Sequence, residues 1–319
     1  MLTLTDKEEE ELEKEINTYF EIARANGSIL SMEGLVELMD VDADAQEIER
    51  VIRASPSLKA NILLSSGYIF SRSGDLGSAQ IESAVQEEEE RKRRAISNLR
   101  TADDFSGWLG KRAVMVAVGG TNSYLSPREK DDIDLFCVTR RGTMWTFMLD
   151  SLVKARVYGL LHKGTPQLCF SFIMDEGWAE REFVKTQDAI FARDVLTSKV
   201  VRGRDAYDAL IRRASWMERF FPRLYRMRPG IGDGARERTR SGGSDRRGEE
   251  TLWQKVANGF LYATLGSYIL LKAWLLNRRF AKEGRGDAIF TTDIGRDHCV
   301  YESNKYKRLR RMYAPLHER

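Results

Sequence analysis

The sequence predicts an α+β protein in which a mixed sheet with helices is preceded by a small N-terminal module and followed by a helical C-terminal region. Apolar runs of strand length occupy residues 113–118, 133–138 and 168–174, and a helical pattern fills residues 146–158. Amphipathic helical patterns dominate the chain before and after this middle part. Strands that alternate with helices, with further helices on either side, indicate this fold class.

Length and charge set broad limits on the function. A chain of 319 residues is long enough for two or three structural units. Its 51 basic and 48 acidic residues leave a formal net charge of +3, so attraction to nucleic acid would have to come from a local patch. The acidic N-terminus does not resemble a signal peptide. Three cysteines without paired spacing exclude a thiolate zinc site and favour a reducing, cytoplasmic location: Cys137, Cys169 and Cys299.

Residues 1–75 are predicted to form a winged-helix module. Its elements are three helices and a hairpin that turns at Ser65-Ser66-Gly67, with helical patterns at 5–25, 32–39 and 45–54 and strands at 60–64 and 68–70. Such a module can bind DNA by placing its third helix in the major groove, or it can serve only in packing. The third helix carries equal numbers of acidic and basic residues, which favours the packing role because phosphates would attract it weakly.

Three further segments follow the module. Residues 76–228 are predicted to form the main domain, which begins with a charged connecting helix at 77–99. Residues 229–250 are rich in Gly, Ser, Arg and Asp and predict a flexible linker, since they cannot bury enough apolar surface to fold. Residues 251–319 are predicted to be helical and to end in a basic pattern at 303–313, which is an alternative contact for a nucleic-acid backbone.

The segment 256–276 within this last region is apolar over about the length that spans a bilayer. It also contains Asn258, Thr264, Ser267 and Lys272, and the rest of the chain has the composition of a soluble protein. A buried helix is therefore the favoured interpretation, and a membrane anchor is the alternative.

The residues that indicate chemistry lie between the first two strands of the main domain. Gly119 and Gly120 follow an apolar strand, where their backbone can approach a bulky anion closely, and Thr121 and Asn122 follow them. These four residues are the candidate nucleotide-binding residues. The amides of the glycines and the Thr121 hydroxyl are suited to triphosphate oxygens.

Two carboxylates start the second strand. Asp132 and Asp134 are separated by Ile133, so on a strand their side chains project from the same face. Paired carboxylates are oxygen ligands of the kind that Mg²⁺ or Mn²⁺ prefers, with substrate phosphates and water completing the coordination. Both aspartates are therefore candidate metal ligands and catalytic residues.

These residues match a known signature. Val118-Gly119-Gly120, followed after a short interval by Asp132-Ile133-Asp134-Leu135, resembles the active-site motif of the DNA polymerase beta-like nucleotidyltransferases. Two further stretches, residues Val138–Trp145 and Leu168–Phe170, are similar to the sequences of an uncharacterised prokaryotic branch of this family that carries an N-terminal winged helix. The resemblance implies a polymerase beta-like core and transfer of a nucleoside monophosphate from a metal-bound nucleoside triphosphate to an acceptor. The acceptor is left open between RNA, a protein and a small molecule.

The resemblance also implies a third carboxylate on a later strand. Residues 167–174 contain no acid, and Asp175 is the candidate because it comes at the end of that strand. The third acid positions or acts as the base for the acceptor hydroxyl, so its loss would weaken transfer while leaving binding intact. The alternative function is therefore a catalytically weak, nucleotide-sensing regulator whose winged helix binds DNA or a protein partner.

Overall fold

A computed structural model of the chain describes residues 5–25, 28–72, 77–228 and 252–317. Across these residues the fold is α+β, with a mixed six-stranded sheet and a small three-stranded antiparallel sheet near the N-terminus. The flexible linker predicted at 229–250 lies outside the described residues.

The N-terminal part contains four helices and three short strands. They are α1 (Asp6–Ala25), β1 (Leu30–Ser31), α2 (Met32–Leu38), α3 (Ala45–Ala54), α4 (Pro56–Asn61), β2 (Ile62–Ser65) and β3 (Tyr68–Ser71). The Asp44 side chain accepts from the amides of Gln46 and Glu47, which fixes the start of α3. Ser66 and Gly67 turn the hairpin with positive φ angles of 52° and 77°. The strand β1 is absent from the sequence prediction and pairs with β3.

The main domain starts with a long helix and contains four strands of the large sheet. Its elements are α5 (Ser78–Trp108), β4 (Ala113–Val118), α6 (Gly120–Ser123), β5 (Ile133–Thr139), α7 (Met144–Leu161), β6 (Leu168–Asp175), α8 (Glu176–Val184), α9 (Ala189–Thr197), β7 (Lys199–Arg202), α10 (Arg204–Arg213) and α11 (Pro222–Arg226). The strands β5 and β6 are parallel, connected by α7, whereas β4 is antiparallel to both β5 and β7.

The last part of the described chain returns to the same sheet. Its elements are α12 (Leu252–Leu261), a π-helical turn (Tyr262–Gly266), α13 (Ser267–Lys282), β8 (Phe290–Ile294), β9 (His298–Ser303) and α14 (Asn304–His317). The sheet order is β7-β4-β5-β6-β9-β8. The sequence predicts only helices in this C-terminal region apart from a loop, and the hairpin β8–β9 corrects that prediction. These strands are short and only partly buried, so their hydrophobic alternation is weak.

The large sheet has a hydrophobic core on each face. Val116, Leu135 and Ile173 lie in the core under α5, α7 and the π-helical turn. Ala117, Phe136 and Met174 lie in the core under α8, α9 and α10 on the other face. Tyr313 of α14 joins this second core and contacts Tyr19 of α1 with ring centroids 5.8 Å apart. The helices α1 and α14 are thereby packed together.

The apolar segment at 256–276 is helical but is not the buried helix that the sequence favours. It belongs to the 31-residue stretch Leu252–Lys282, which by length and composition could cross a membrane. Only 17% of the most apolar 18-residue window in this stretch is buried. Asn258, Gly266, Ile269 and Ala273 form the side that faces the protein. The helix needs only this narrow stripe to pack on the domain, and its other apolar residues remain exposed.

Candidate metal centre

The turn between β4 and β5 brings the two sequence motifs together. Gly119 follows β4 and precedes the single turn α6, and its amide donates to the carbonyl of Asp134 at 2.9 Å. Because β4 and β5 are antiparallel neighbours, the Gly-Gly loop and the start of β5 lie at the same edge of the sheet. The predicted proximity of the loop to the aspartates is therefore present in the fold.

Asp132 immediately precedes β5 and Asp134 lies on it, and their carboxylates approach each other, as the alternation predicted from the sequence requires. A carboxylate oxygen of each lies within 4.8 Å of the other and of the Cys169 Sγ. The Cys169 thiol donates to Asp132, and Ser171 hydrogen-bonds to Asp134. Both polar residues belong to β6, whose Cys169 is in register with Asp134. The aspartate pair is therefore flanked by two small polar side chains of the neighbouring strand.

The electrostatics of the pair favour a cation. Burial, followed by the neighbouring Asp132 carboxylate, raises the pKa of Asp134 to about 7, although the hydrogen bond from Ser171 opposes this change. Asp131 and Asp194 raise the Asp134 pKa further. Two carboxylate ligands fit Mg²⁺ or Mn²⁺. Burial and the two aspartates raise the pKa of Cys169, so its thiol stays protonated and is not a ligand for these hard cations.

The raised Asp134 pKa has a consequence for stability without metal. Between about pH 4 and pH 7 the folded protein keeps a proton that the unfolded chain releases, so stability falls as pH rises through this window. We expect Asp134→Asn to stabilise the protein at pH 8 by about 2–4 kcal/mol relative to wild type, and by much less at pH 5. Urea unfolding in EDTA at both pH values measures this difference. Asp104→Asn, on the exposed side of α5, is the control. If Asp134→Asn changed the free energy of unfolding equally at both pH values, the raised pKa of Asp134 would be contradicted.

Gly120 is packed directly against this carboxylate. Its φ is +60°, a left-handed conformation, and a Cβ built on it would lie 2.6 Å from Asp134 Oδ2. A Cβ built on Gly119 would meet nothing within 4 Å. Gly120 is thus required for the geometry of the aspartate, whereas Gly119 borders open space beside it.

The other two candidate nucleotide-binding residues have different environments. The Thr121 hydroxyl donates to Asp131 at 3.0 Å, and Thr121 is partly exposed. Asn122 is fully buried. Its side-chain amide donates to the Asp132 carbonyl at 2.9 Å and accepts from Asn98 at 2.8 Å. Asn122 therefore ties α5 to the start of β5 and is not placed to contact a ligand.

Asp175 lies away from the aspartate pair. It is in register with Thr139, six residues along β6 from Cys169, which places it about 20 Å from Asp134. Its side chain accepts from the amides of Gly142 and Trp178, both at 2.9 Å, and so caps the start of α8. An Asp followed by a helical pattern is a capping signal that the sequence carried. The structure does not bring Asp175 to the site.

Residues from distant parts of the chain also lie around the site, and the sequence motifs do not identify them. Asp194 of α9 accepts from the Tyr124 hydroxyl, and Arg193 lies 4.8 Å from the centre of the Tyr124 ring and donates to Tyr313. Burial, Arg193 and Arg128 lower the pKa of Lys305, which is also close enough to Asp131 to sense its charge. These residues come from three separate segments, so no local spacing identifies them.

The exposed side of the pair opens on a small pocket. Asp132 lines this pocket together with residues of two loops, one before β5 and one before β6: Glu129, Lys130, Asp131, Pro166 and Gln167.

No protein-family model, no curated protein and no solved structure matches this chain.

Proposed function

We propose that the protein is a metal-dependent nucleotidyltransferase with a DNA polymerase beta-like core. The observation that carries the proposal is the pair Asp132 and Asp134 beside the Gly119-Gly120 turn, with carboxylate oxygens within 4.8 Å. The raised pKa of Asp134 supports it, because a buried excess of negative charge is relieved by a bound cation.

The reaction would join an acceptor hydroxyl oxygen to the α-phosphorus of a nucleoside triphosphate. The bond between the α-phosphorus and the oxygen that bridges the α- and β-phosphates breaks, so pyrophosphate leaves. The proton of the acceptor hydroxyl passes to a base. A Mg²⁺ ion on Asp132 and Asp134 would neutralise charge on the phosphates. The open space beside Gly119 admits the triphosphate close to the backbone, and the Thr121 hydroxyl would exchange its bond to Asp131 for a phosphate oxygen.

The test compares two labels. Purified protein is incubated with Mg²⁺, extract as the acceptor source, and nucleoside triphosphates labelled either at the α- or at the γ-phosphorus. Nucleotidyl transfer labels an acceptor from the α position only, whereas a kinase would label it from the γ position. Labelling from γ, or labelling that persists in EDTA, would refute the proposal.

A second function, the nucleotide-sensing regulator, is favoured by one observation. The strand beside the aspartates offers Cys169 and Ser171 where the family resemblance implies a third acid. Calorimetry that detects nucleotide binding in a protein without transfer activity would support this function. A DNA-binding role for the winged helix has less support, because Arg50 and Arg53 of α3 pair with Glu9 and Glu49, both at 2.6 Å.

We place the protein in the cytoplasm, in keeping with its free cysteines. The acceptor remains open between RNA, a protein and a small molecule. Two arginines of the basic C-terminal helix form ion pairs, Arg308 with Asp287 and Arg310 with Asp188 and Glu302. These pairs leave less charge for a nucleic-acid backbone, which favours an acceptor other than a long RNA or DNA.

A further inference from the structure

A broad apolar surface covers one side of the molecule, on α7 and on the helical stretch Leu252–Lys282. We name it the apolar face. Along α7, the exposed apolar side chains recur at helical spacing from residue 149 to residue 161, ending with Leu160 and Leu161 at 63% and 66% exposure. Along the second helix, Trp253 is 82% exposed, Phe260 66% and Leu271 56%.

The two helices contact each other through α12 and the π-helical turn. α12 packs along α7, and the Tyr262 ring of the π-helical turn lies 5.6 Å from the ring of Trp145 at the start of α7. Both helices cover the same face of the large sheet. Soluble monomers rarely expose contiguous apolar patches larger than a few hundred Å², so a surface of this kind indicates a binding site.

The charges on the apolar face are mostly basic. Leu252–Lys282 contains no acidic residue, and its basic residues are Lys255, Lys272, Arg278, Arg279 and Lys282. Of these, Arg279 pairs with Glu283 just beyond the stretch at 2.7 Å. On α7 the single acid, Asp150, is paired with Lys154 at 2.6 Å. Arg278 lies over the Trp274 ring at 4.1 Å. Basic residues beside exposed tryptophans are typical of helices that lie in the interface of an anionic membrane.

The second helix is held against the protein along its length, which excludes a spanning arrangement in this fold. The Asn258 side chain accepts from the Trp145 amide at 2.8 Å. The Asn277 side chain donates to the Phe290 carbonyl at 2.7 Å and accepts from its amide at 3.0 Å. Ile269 and Ala273 are buried between these two anchors. Only the outward side of the helix is free to meet lipid.

We propose that the apolar face docks on the surface of a bilayer that contains anionic lipid, with α7 and Leu252–Lys282 lying in the boundary between headgroups and acyl chains. A second copy of the chain fits less well. A two-fold interface sets the same patch against itself, so the basic residues of both copies would meet with few acids to pair them. Anionic headgroups carry charge opposite to that of this basic face. This inference does not depend on the proposed transferase activity.

The test is flotation of the full-length protein with two kinds of vesicle, phosphatidylcholine alone and phosphatidylcholine mixed with phosphatidylglycerol. We expect the protein to float with the mixed vesicles and to be released in part by high salt. Leu271→Glu with Trp274→Glu should weaken this binding about tenfold or more, because two large side chains would no longer be buried in lipid. Leu160→Glu on α7 gives an independent readout if the double variant folds poorly.

The matched control is Val184→Glu at the end of α8. Val184 is 59% exposed, close to the 56% of Leu271, and α8 packs on the other face of the sheet. This variant should float like wild type. The proposal is overturned if wild type stays unbound with mixed vesicles, or if Val184→Glu reduces flotation as much as Leu160→Glu. It is also overturned if light scattering finds a dimer that Leu160→Glu dissociates while neither form binds vesicles.

Discussion

Replacing Asp132 and Asp134 together with asparagine is expected to lower Mg²⁺-dependent nucleotidyl transfer by a factor of about 10²–10³ or more. Both carboxylates reach one point beside the Gly-Gly turn, with ligand oxygens within 4.8 Å. Asparagine keeps the size and one oxygen of each side chain but removes both negative charges, so a divalent cation is no longer held. The measurement is transfer of α-labelled nucleotide at fixed Mg²⁺, together with calorimetric titration of Mg²⁺ alone.

Two single variants control this experiment. Asp104→Asn removes one charge from the exposed side of α5 and should leave transfer and Mg²⁺ affinity unchanged. Asp175→Asn should lower stability, since its carboxylate accepts from two amides at 2.9 Å, while the folded protein retains its Mg²⁺ affinity. Transfer by the double variant at the wild-type rate would eliminate the proposed function. Loss of Mg²⁺ binding in Asp175→Asn would mean that the position of the metal is wrong.

The centre of the fold is well predicted from sequence because its signals are local. The strand β4 has the predicted bounds, and β5, α7 and β6 differ from prediction by at most a few residues at each end. Buried strands next to glycine turns give strong patterns of this kind. The alternation of Asp132 and Asp134 around Ile133 is equally local, and it places both carboxylates on one face.

The parts that the sequence does not predict depend on contacts between distant segments. The hairpin β8–β9 becomes part of the sheet because β9 pairs with β6, and neither short strand shows this by itself. Similarly, Tyr313 and Arg193 lie 120 positions apart and share a 2.9 Å hydrogen bond. Exposure of Leu252–Lys282 also depends on the fold, since an apolar helix has the same pattern whether protein or lipid covers it.

The strand β6 supplies no acidic side chain next to Asp132 and Asp134. From sequence, Asp175 is the nearest acid to the end of this strand, but it lies at the wrong end. The side chains that do approach the pair are Cys169 and Ser171, a thiol that stays protonated and a hydroxyl. Neither is a strong base at neutral pH, so binding by the aspartate pair and activation of an acceptor are separate requirements in this protein.

The two glycines of the motif are expected to have different roles: Gly120 maintains the position of Asp134, and Gly119 leaves space for the triphosphate. Alanine substitutions distinguish these two roles. In Gly120→Ala, a residue with φ of +60° gains a Cβ 2.6 Å from Asp134 Oδ2, so both backbone strain and a clash result. We expect a loss of about 1–3 kcal/mol in the free energy of unfolding and a weaker Mg²⁺ affinity, because the Asp134 carboxylate must move. Urea unfolding and Mg²⁺ titration measure the two effects.

Gly119→Ala is the matched substitution. Gly119 has a φ of −108°, and its added Cβ meets nothing within 4 Å, so the free energy of unfolding and the Mg²⁺ affinity should stay close to wild type. The new methyl group would instead occupy the open space proposed for the triphosphate, and nucleotide affinity should fall. If Gly119→Ala binds nucleotide as well as wild type, the triphosphate does not lie beside this turn, even if the aspartates bind a metal.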